Sequence, residues 1–364
     1  MVPRLIPRWV GLPRLDVPLL IALLLVMALG LGVLYSASNE DMGAIWRQSI
    51  RLGFGMVVLL VLSQIPPHIL RLWTPWLYGM GIVLLLATWF VGVGQGANRW
   101  LDFGVFRFQP AEIMKLAVPM MVAWYLHPRV LPPDLRDLAV SLGILVIPAL
   151  LIVRQPDLGT AILVMISGGF TLFLSGLSWR VLMGGVVAAA AAAPALWLVM
   201  HEYQRDRVRT FLDPESDPLG SGWNIIQSKI AVGSGGLFGK GWLNGTQSRL
   251  EFIPERHTDF ILAVLSEEFG LLGVLVLLGM YVYIAGRGLY ISSLARNTYS
   301  RLLAGSLSLT FFVYVLVNAS MVAGMLPVVG IPLPLISYGG TSAVTILAGF
   351  GILMSIYGHR NFIR

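Results

Sequence analysis

Cysteine is absent from the 364 residues, so neither disulfides nor thiolate metal sites are available to this chain. Charge is scarce as well. Asp, Glu, Lys and Arg make up 12% of the residues, against roughly 25% in an average soluble domain. Lysine occurs only at positions 115, 229 and 240, so nearly all of the +7 net charge comes from arginine scattered between apolar segments. That pattern reads as membrane topology and contact with anionic headgroups, and not as a nucleic-acid surface. There is no internal repeat and no inverted pair of interrupted segments, features that many secondary transporters carry.

What fills the chain is apolar sequence: 57% of residues are hydrophobic and the mean hydropathy is +0.79. Apolar runs recur from end to end at about the length a helix needs to cross a ~30 Å hydrocarbon core. They predict an all-α, polytopic membrane protein with ten spans in a single domain covering residues 1–364. The spans are Val17–Ser36, Leu52–Ile65, Thr74–Val93, Ala111–Leu126, Leu138–Val153, Leu158–Leu177, Val181–Met200, Phe260–Ala285, Leu302–Val322 and Thr341–Tyr357. The first is too long for a cleaved signal and reads as a retained anchor. Ten spans put both termini on one side. Twelve arginines then fall on that side, including Arg4, Arg8 and Arg14 of an interfacial arm with Trp9. Only Arg47, Arg51, Arg99, Arg107 and Arg154 fall in the short loops opposite. Positive-inside counting therefore predicts cytoplasmic termini and an external segment His201–Thr258.

That long segment contains turn formers (Asp213-Pro214, Asp217-Pro218), a short helix expected near Trp223–Val232, and the run GSGGLFGKG from Gly233 to Gly241. The glycine run matches neither a P-loop nor a dinucleotide fingerprint, and packing of a re-entrant loop is its expected role. Six alanines, Ala188–Ala193, occupy the seventh span. They suit close helix packing, or a loosely held helix that moves to admit a bulky lipid.

Ionisable groups in or beside spans are costly and usually functional. Here they are Glu112, Lys115, Arg154, Asp157, Asp259, Glu267 and Glu268. Glu112 and Lys115, at i and i+3, share a helix face and can pair. Asp157 can cap the sixth span, and Asp259 can favour the start of the eighth through the helix dipole. Glu267 and Glu268, about 12 Å deeper, suit helix packing or a partner contact. Several helices nonetheless bring charge to one external depth. Carboxylates and arginines there suit an amphiphile with an anionic head. Cations beside a lipid diphosphate stabilise a departing phosphate oxygen, so glycosyl transfer from such a donor needs one carboxylate base and no separate acid. The spacing supports a lipid-diphosphate enzyme or a lipid translocator without choosing between them.

The runs GANRWLDFGVFRFQPAEIMKLAVP from Gly96, RQPDLGTA from Arg154 and RVRTFLDPESDPLGSGWN from Arg207 make the chain resemble the SEDS family (shape, elongation, division and sporulation). So do GSGGLFGKGWLNGTQSRLEFIPERHTDFILAVLSEEFG from Gly233 and GMLPVVGIPLPLISYGGTS from Gly324. The likeness covers essentially the whole chain. The stretch NGTQSRLEFIPERHTDF resembles the cell-elongation branch, and Ala111 stands where many relatives carry Ser. The resemblance implies a peptidoglycan glycosyltransferase in the bacterial cytoplasmic membrane that polymerises lipid II at the outer face. It implies a class B penicillin-binding protein transpeptidase, other elongation-complex membrane proteins and membrane lipids as partners, and no nucleic acid. A lipid II flippase or a non-catalytic scaffold are the alternatives. Carried onto this chain, Asp259 is the essential residue and expected general base, Glu112 and Lys115 the buried polar pair, and Asp157 the QPDLGT carboxylate. Arg99, Arg154, Arg207, Lys240, His257, Thr258 and Ser337 complete the expected substrate-binding set. A divalent cation assists in the family, and no metal cage is legible in this sequence.

Overall fold

The computed structural model describes residues 15–93, 99–102, 104, 107–200, 202–216, 221–250, 252–253 and 255–360. The arginine-rich arm with Trp9 and the Asp217-Pro218 turn lie outside the described residues. The elements in order are α1 (Val17–Ala37), α2 (Met42–Gln64), α3 (Pro67–Val91), a two-stranded antiparallel hairpin of β1 (Leu101–Asp102) and β2 (Arg107–Phe108), α4 (Pro110–Leu126), α5 (Leu135–Val153), α6 (Leu158–Leu174) and α7 (Trp179–Val199). They continue with α8 (Glu202–Leu212), a 3-10 turn at Pro214–Ser216, α9 (Ser221–Ser234), α10 (Thr246–Arg249), α11 (Ile261–Leu294), α12 (Thr298–Val322) and α13 (Thr341–Gly358). Each of the ten expected spans falls on one helix. Among the described residues seven helices are, by length and composition, able to cross a membrane: α1, α2, α3, α5, α11, α12 and α13. α6 is a shorter apolar helix. α9 is the short helix expected near Trp223–Val232 in the long hydrophilic segment, which also holds α8.

The few Asp and Asn residues start these helices. Asp16, Asp41, Asp134, Asp157 and Asn297 each accept a bond from a backbone N–H of the first turn of α1, α2, α5, α6 and α12, pairing donors that a helix start leaves free. Two boundaries differ from expectation by most of a helix segment. α2 begins ten residues before Leu52, because Arg47 and Arg51 have a partner that hydropathy does not register. Arg47 Nε donates to the Tyr338 hydroxyl at 3.2 Å, and the Arg51 guanidinium lies 4.5 Å from the Tyr338 ring centre. α11 runs nine residues past Ala285, carrying Arg287 inside the helix, where Asp16 neutralises it at 2.9 Å.

α11 and α12 form the centre, with α4, α6 and α13 packed around them. Tyr281, Phe311 and Phe350 pack edge to face there, with ring centres 5.7 and 5.0 Å apart. α2 and α3 turn Trp46, Phe54, Trp73, Trp76 and Phe90 outward, as a lipid-facing rim requires. α7 stands apart: among the described residues no helix packs extensively against it.

α11 is interrupted at Gly270, whose φ of 65° and ψ of −164° leave the helical region. A side chain there would be strained, and a Cβ would lie 2.3 Å from the Gly239 nitrogen. The glycine-rich run after α9 docks into the break. Lys240 and Gly241 donate their N–H groups to the Glu267 and Glu268 carbonyls, and Leu271 and Leu272 donate theirs to the Gly236 and Leu237 carbonyls. The backbone groups freed by the interruption are thus paired.

Candidate active site

Asp259 lies in the turn that leads into α11, and three neighbours hold its backbone. Asn318 of α12 donates from Nδ2 to the Asp259 carbonyl at 2.9 Å and to the Ile331 carbonyl at 2.8 Å. Ser337 donates its hydroxyl to the Thr258 carbonyl at 2.6 Å and accepts from the Leu333 N–H. The Tyr338 N–H donates to the His257 carbonyl at 2.8 Å, with the two rings edge to face. The segment His257–Asp259 is therefore sewn to the apolar connection between α12 and α13. The Asp259 carboxylate lies against Gly330, where a Cβ would come within 3.6 Å of Oδ2.

Burial pushes the Asp259 carboxyl up to about 6, the nearby Glu255 carboxylate adds to the rise, and Arg207 opposes it. A buried carboxyl rises because its charged form loses water. Arg207, on α8, also donates to the Val328 carbonyl at 3.1 Å. α6 reaches the same connection from the other side: a Cβ on Gly159 would lie 2.4 Å from Val329 Cγ1. Gly159 of α6, Arg207 of α8 and Asp259 of the turn before α11 thus come from three separate elements to residues 328–330.

Asp157 caps α6 through the Thr160 N–H at 3.1 Å and accepts from Gln109 Nε2 at 2.8 Å. Behind it, Lys115 Nζ meets Glu112 Oε1 at 2.6 Å, with the two residues 7% and 4% exposed. Lys115 also stands 5.3 Å from the Tyr314 ring centre. Pairing makes burial of both charges tolerable. Glu112 Oε2 is buried and has no hydrogen-bond partner among the described residues. The pair heads a narrow apolar slot between α4, α12 and α13, lined further by Thr310, Phe350 and Leu353.

The remaining expected residues have other neighbours. Arg99 donates to the Gln155 and Pro156 carbonyls, holding the turn before α6. Arg154 is exposed and stacks 5.7 Å from Trp89. Lys240 pairs with Glu267 at 2.7 Å, eight residues along α11 from Asp259. Glu267 also accepts from the Thr246 and Gln247 N–H groups, and Glu268 accepts from the Ser36 hydroxyl. His257, Thr258 and Ser337 serve the backbone clamp. Asn318 and Gln109 did not figure in the sequence reading. A lone amide in an apolar span was the available signal for Asn318, since polar groups at such depth are retained only with partners. Among the described residues no group of three His, Asp or Glu side chains converges as a metal cage.

A profile of the FtsW, RodA and SpoVE cell cycle proteins matches residues 16–361. The chain belongs to this family. It is 54% identical over 352 residues to the peptidoglycan glycosyltransferase MrdB of Escherichia coli K12, covering 96% of this chain and 95% of that one. It is 35% identical over 361 residues to the probable peptidoglycan glycosyltransferase FtsW of Trichlorobacter lovleyi, covering 95% and 93%. Among solved structures, a chain from a peptidoglycan synthase complex that coordinates polymerization and crosslinking matches with a TM-score of 0.84 at 33% identity, covering 96% and 99%. The rod shape determining protein RodA of Thermus thermophilus matches at 0.74 with 29% identity, covering 98% and 99%. The FtsW/RodA/SpoVE fold is thus shared over almost the full length, including the elements that carry Asp259, Asp157 and the Glu112–Lys115 pair.

Proposed function

We propose that this chain is a peptidoglycan glycosyltransferase that polymerises lipid II into glycan strands at the outer face of the bacterial cytoplasmic membrane during cell elongation. Relatives matched along nearly the whole chain carry the glycosyltransferase activity in their names. The observation that carries the chemistry is Asp259: a half-buried carboxylate, clamped by its backbone, with a guanidinium nearby and a proton affinity suited to a base near neutral pH.

In this reading ten spans form one domain, both termini are cytoplasmic, and residues 201–258 are external. Asp259 accepts the proton of the acceptor GlcNAc 4-hydroxyl as that oxygen attacks the anomeric carbon of lipid-linked MurNAc. The bond from that carbon to the diphosphate oxygen breaks, and polyprenyl diphosphate leaves with inversion. The departing oxygen needs positive charge and no proton, so the second carboxylate of a glycosidase has no counterpart. Arg207 is the cation placed to supply that charge. Glu112–Lys115 and Asp157 shape the donor side, where Glu112 Oε2 can accept from a substrate N–H or O–H. A class B penicillin-binding protein is the partner that cross-links the product.

The test is to incubate the purified protein and its partner transpeptidase with labelled lipid II and to separate the products by length. Polymer is the expected result. Lipid II moved across vesicle membranes with no polymer formed would replace the enzyme with a translocator.

A further inference from the structure

We infer that the glycine-rich segment 235–242 dips into the membrane at the break in α11, placing Leu237 and Phe238 among the acyl chains of the leaflet on the Asp259 side. Three contacts measure its depth. Asp16 and Arg287 pair where α1 begins, which marks one edge of the apolar bundle. Ser36 and Glu268 bond near the other edge. Residues 16 to 36 on α1 give about 30 Å at 1.5 Å per residue, close to the ~30 Å thickness of the hydrocarbon core, and Glu268 is level with Ser36 through their bond. The length of α1 and this bond therefore place Glu268 and Ser36 at the far edge.

The segment contacts both helices inside that edge. Trp242 Nε1 donates to the Gly32 carbonyl at 3.1 Å, and residues 16 to 32 span about 24 Å of α1. The Leu237 carbonyl accepts from the Leu272 N–H at 3.1 Å, and residues 272 to 287 span about 22 Å of α11. Two independent helices thus put the segment about 6 to 8 Å below the far edge of the ~30 Å core.

Its chemistry suits that depth. Irregular backbone persists in hydrocarbon only when its polar groups are satisfied. Here the freed carbonyls of Glu267 and Glu268 and the freed N–H groups of Leu271 and Leu272 are all bonded to the segment. The segment's one charge, Lys240, is paired with buried Glu267 at 2.7 Å. The side chains directed outward are apolar: Leu237 is 61% and Phe238 77% exposed, continuous with exposed Leu271 and Leu272 on α11. A loop in water would gain nothing from that exposure, whereas one among acyl chains removes it from water. That this leaflet is the outer one rests on the topology proposed above, while insertion itself does not depend on it.

Because the chain contains no cysteine, single spin labels can be placed directly. Phe238→Cys, and separately Leu237→Cys, are labelled in the full-length protein reconstituted in lipid vesicles. Their collision rates with oxygen and with a water-soluble nickel chelate are compared with Val276→Cys on the exposed face of α11 and Glu215→Cys in the hydrophilic segment. Oxygen should dominate at 237 and 238 as at 276. Nickel collisions matching those at 215 would overturn the inference by placing the segment in water. Low collision with both reagents would also overturn it, by placing the segment against protein, a second copy of this chain included. Reporter fusions decide the side of the membrane independently, so an error in topology would be distinguishable from an error in depth.

Discussion

Asn318 donates to the carbonyl oxygen of Asp259 at 2.9 Å from a fully buried position on α12. Its amide also donates to Ile331 at 2.8 Å, so one side chain ties the proposed base to the connection that Arg207 and α6 also reach. Leaving a buried acceptor unpaired costs about 1–3 kcal/mol. Asn318→Ala should therefore lower the melting temperature and cut polymerisation about tenfold or more while lipid II still binds. Asn318→Asp keeps the shape but loses both N–H donors, and should behave like the alanine variant. Wild-type turnover in Asn318→Asp would show that the clamp does not position the base.

The Glu112–Lys115 pair predicts strong coupling. Removing one member leaves a buried charge alone, at about 3–5 kcal/mol. Glu112→Gln and Lys115→Met should each destabilise the protein, and the double variant should be less destabilised than the sum of the two. Thermal melts of the four proteins measure this directly, and strict additivity would contradict a coupled pair.

The pH dependence follows from Asp259. Its carboxyl is pushed up to about 6, first by burial and then by Glu255, with Arg207 opposing. A base works only when ionised, so below pH 6 turnover should fall about tenfold per pH unit, and above 7 it should level off. Glu255→Gln removes a like charge and should move the midpoint down. Arg207→Gln removes an opposite charge and should move it up. Profiles of kcat against pH for the three proteins carry the test, and a midpoint that both substitutions leave unchanged would detach the profile from Asp259.

The spans were legible because their apolar runs are long, whatever their environment. Boundaries failed where a distant side chain changed what a charge costs. Arg47 and Arg51 read as loop residues in sequence, and Tyr338 of the α12–α13 connection faces them in the fold. Arg287 reads as a stop in sequence, and Asp16, 271 positions earlier, lies at its side in the fold. The break at Gly270 is hidden because one glycine in an apolar helix is common, and the segment that pairs with it lies in a glycine run that no motif explains. At the site, the carboxylates and the Glu112–Lys115 pair announced themselves as charges at span ends. Asn318 did not, since its role depends on where α12 packs. Lys240 reads as a substrate cation in sequence, because spacing cannot tell that Glu267 pairs with it.

Topology is tested by reporter fusions. A fusion at Glu215 should report the outside, and one in the α11–α12 connection at Arg296 should report the cytoplasm. A cytoplasmic signal at Glu215 would turn Asp259 to the face where no external strand is built.

The central claim is tested most directly by polymer yield from labelled lipid II with Asp259→Asn beside the wild type, in the presence of the partner transpeptidase. Asparagine keeps the size of the side chain but cannot take the acceptor's proton, so yield should fall by at least about 10²-fold. Folding should survive. A carboxyl whose affinity for protons is raised in the folded state loses stability as pH rises through about 6, so a neutral amide should hold the melting temperature at pH 7 level or raise it. Lipid II binding should remain. Wild-type polymer from a well-folded Asp259→Asn protein would contradict the mechanism and leave it without its base.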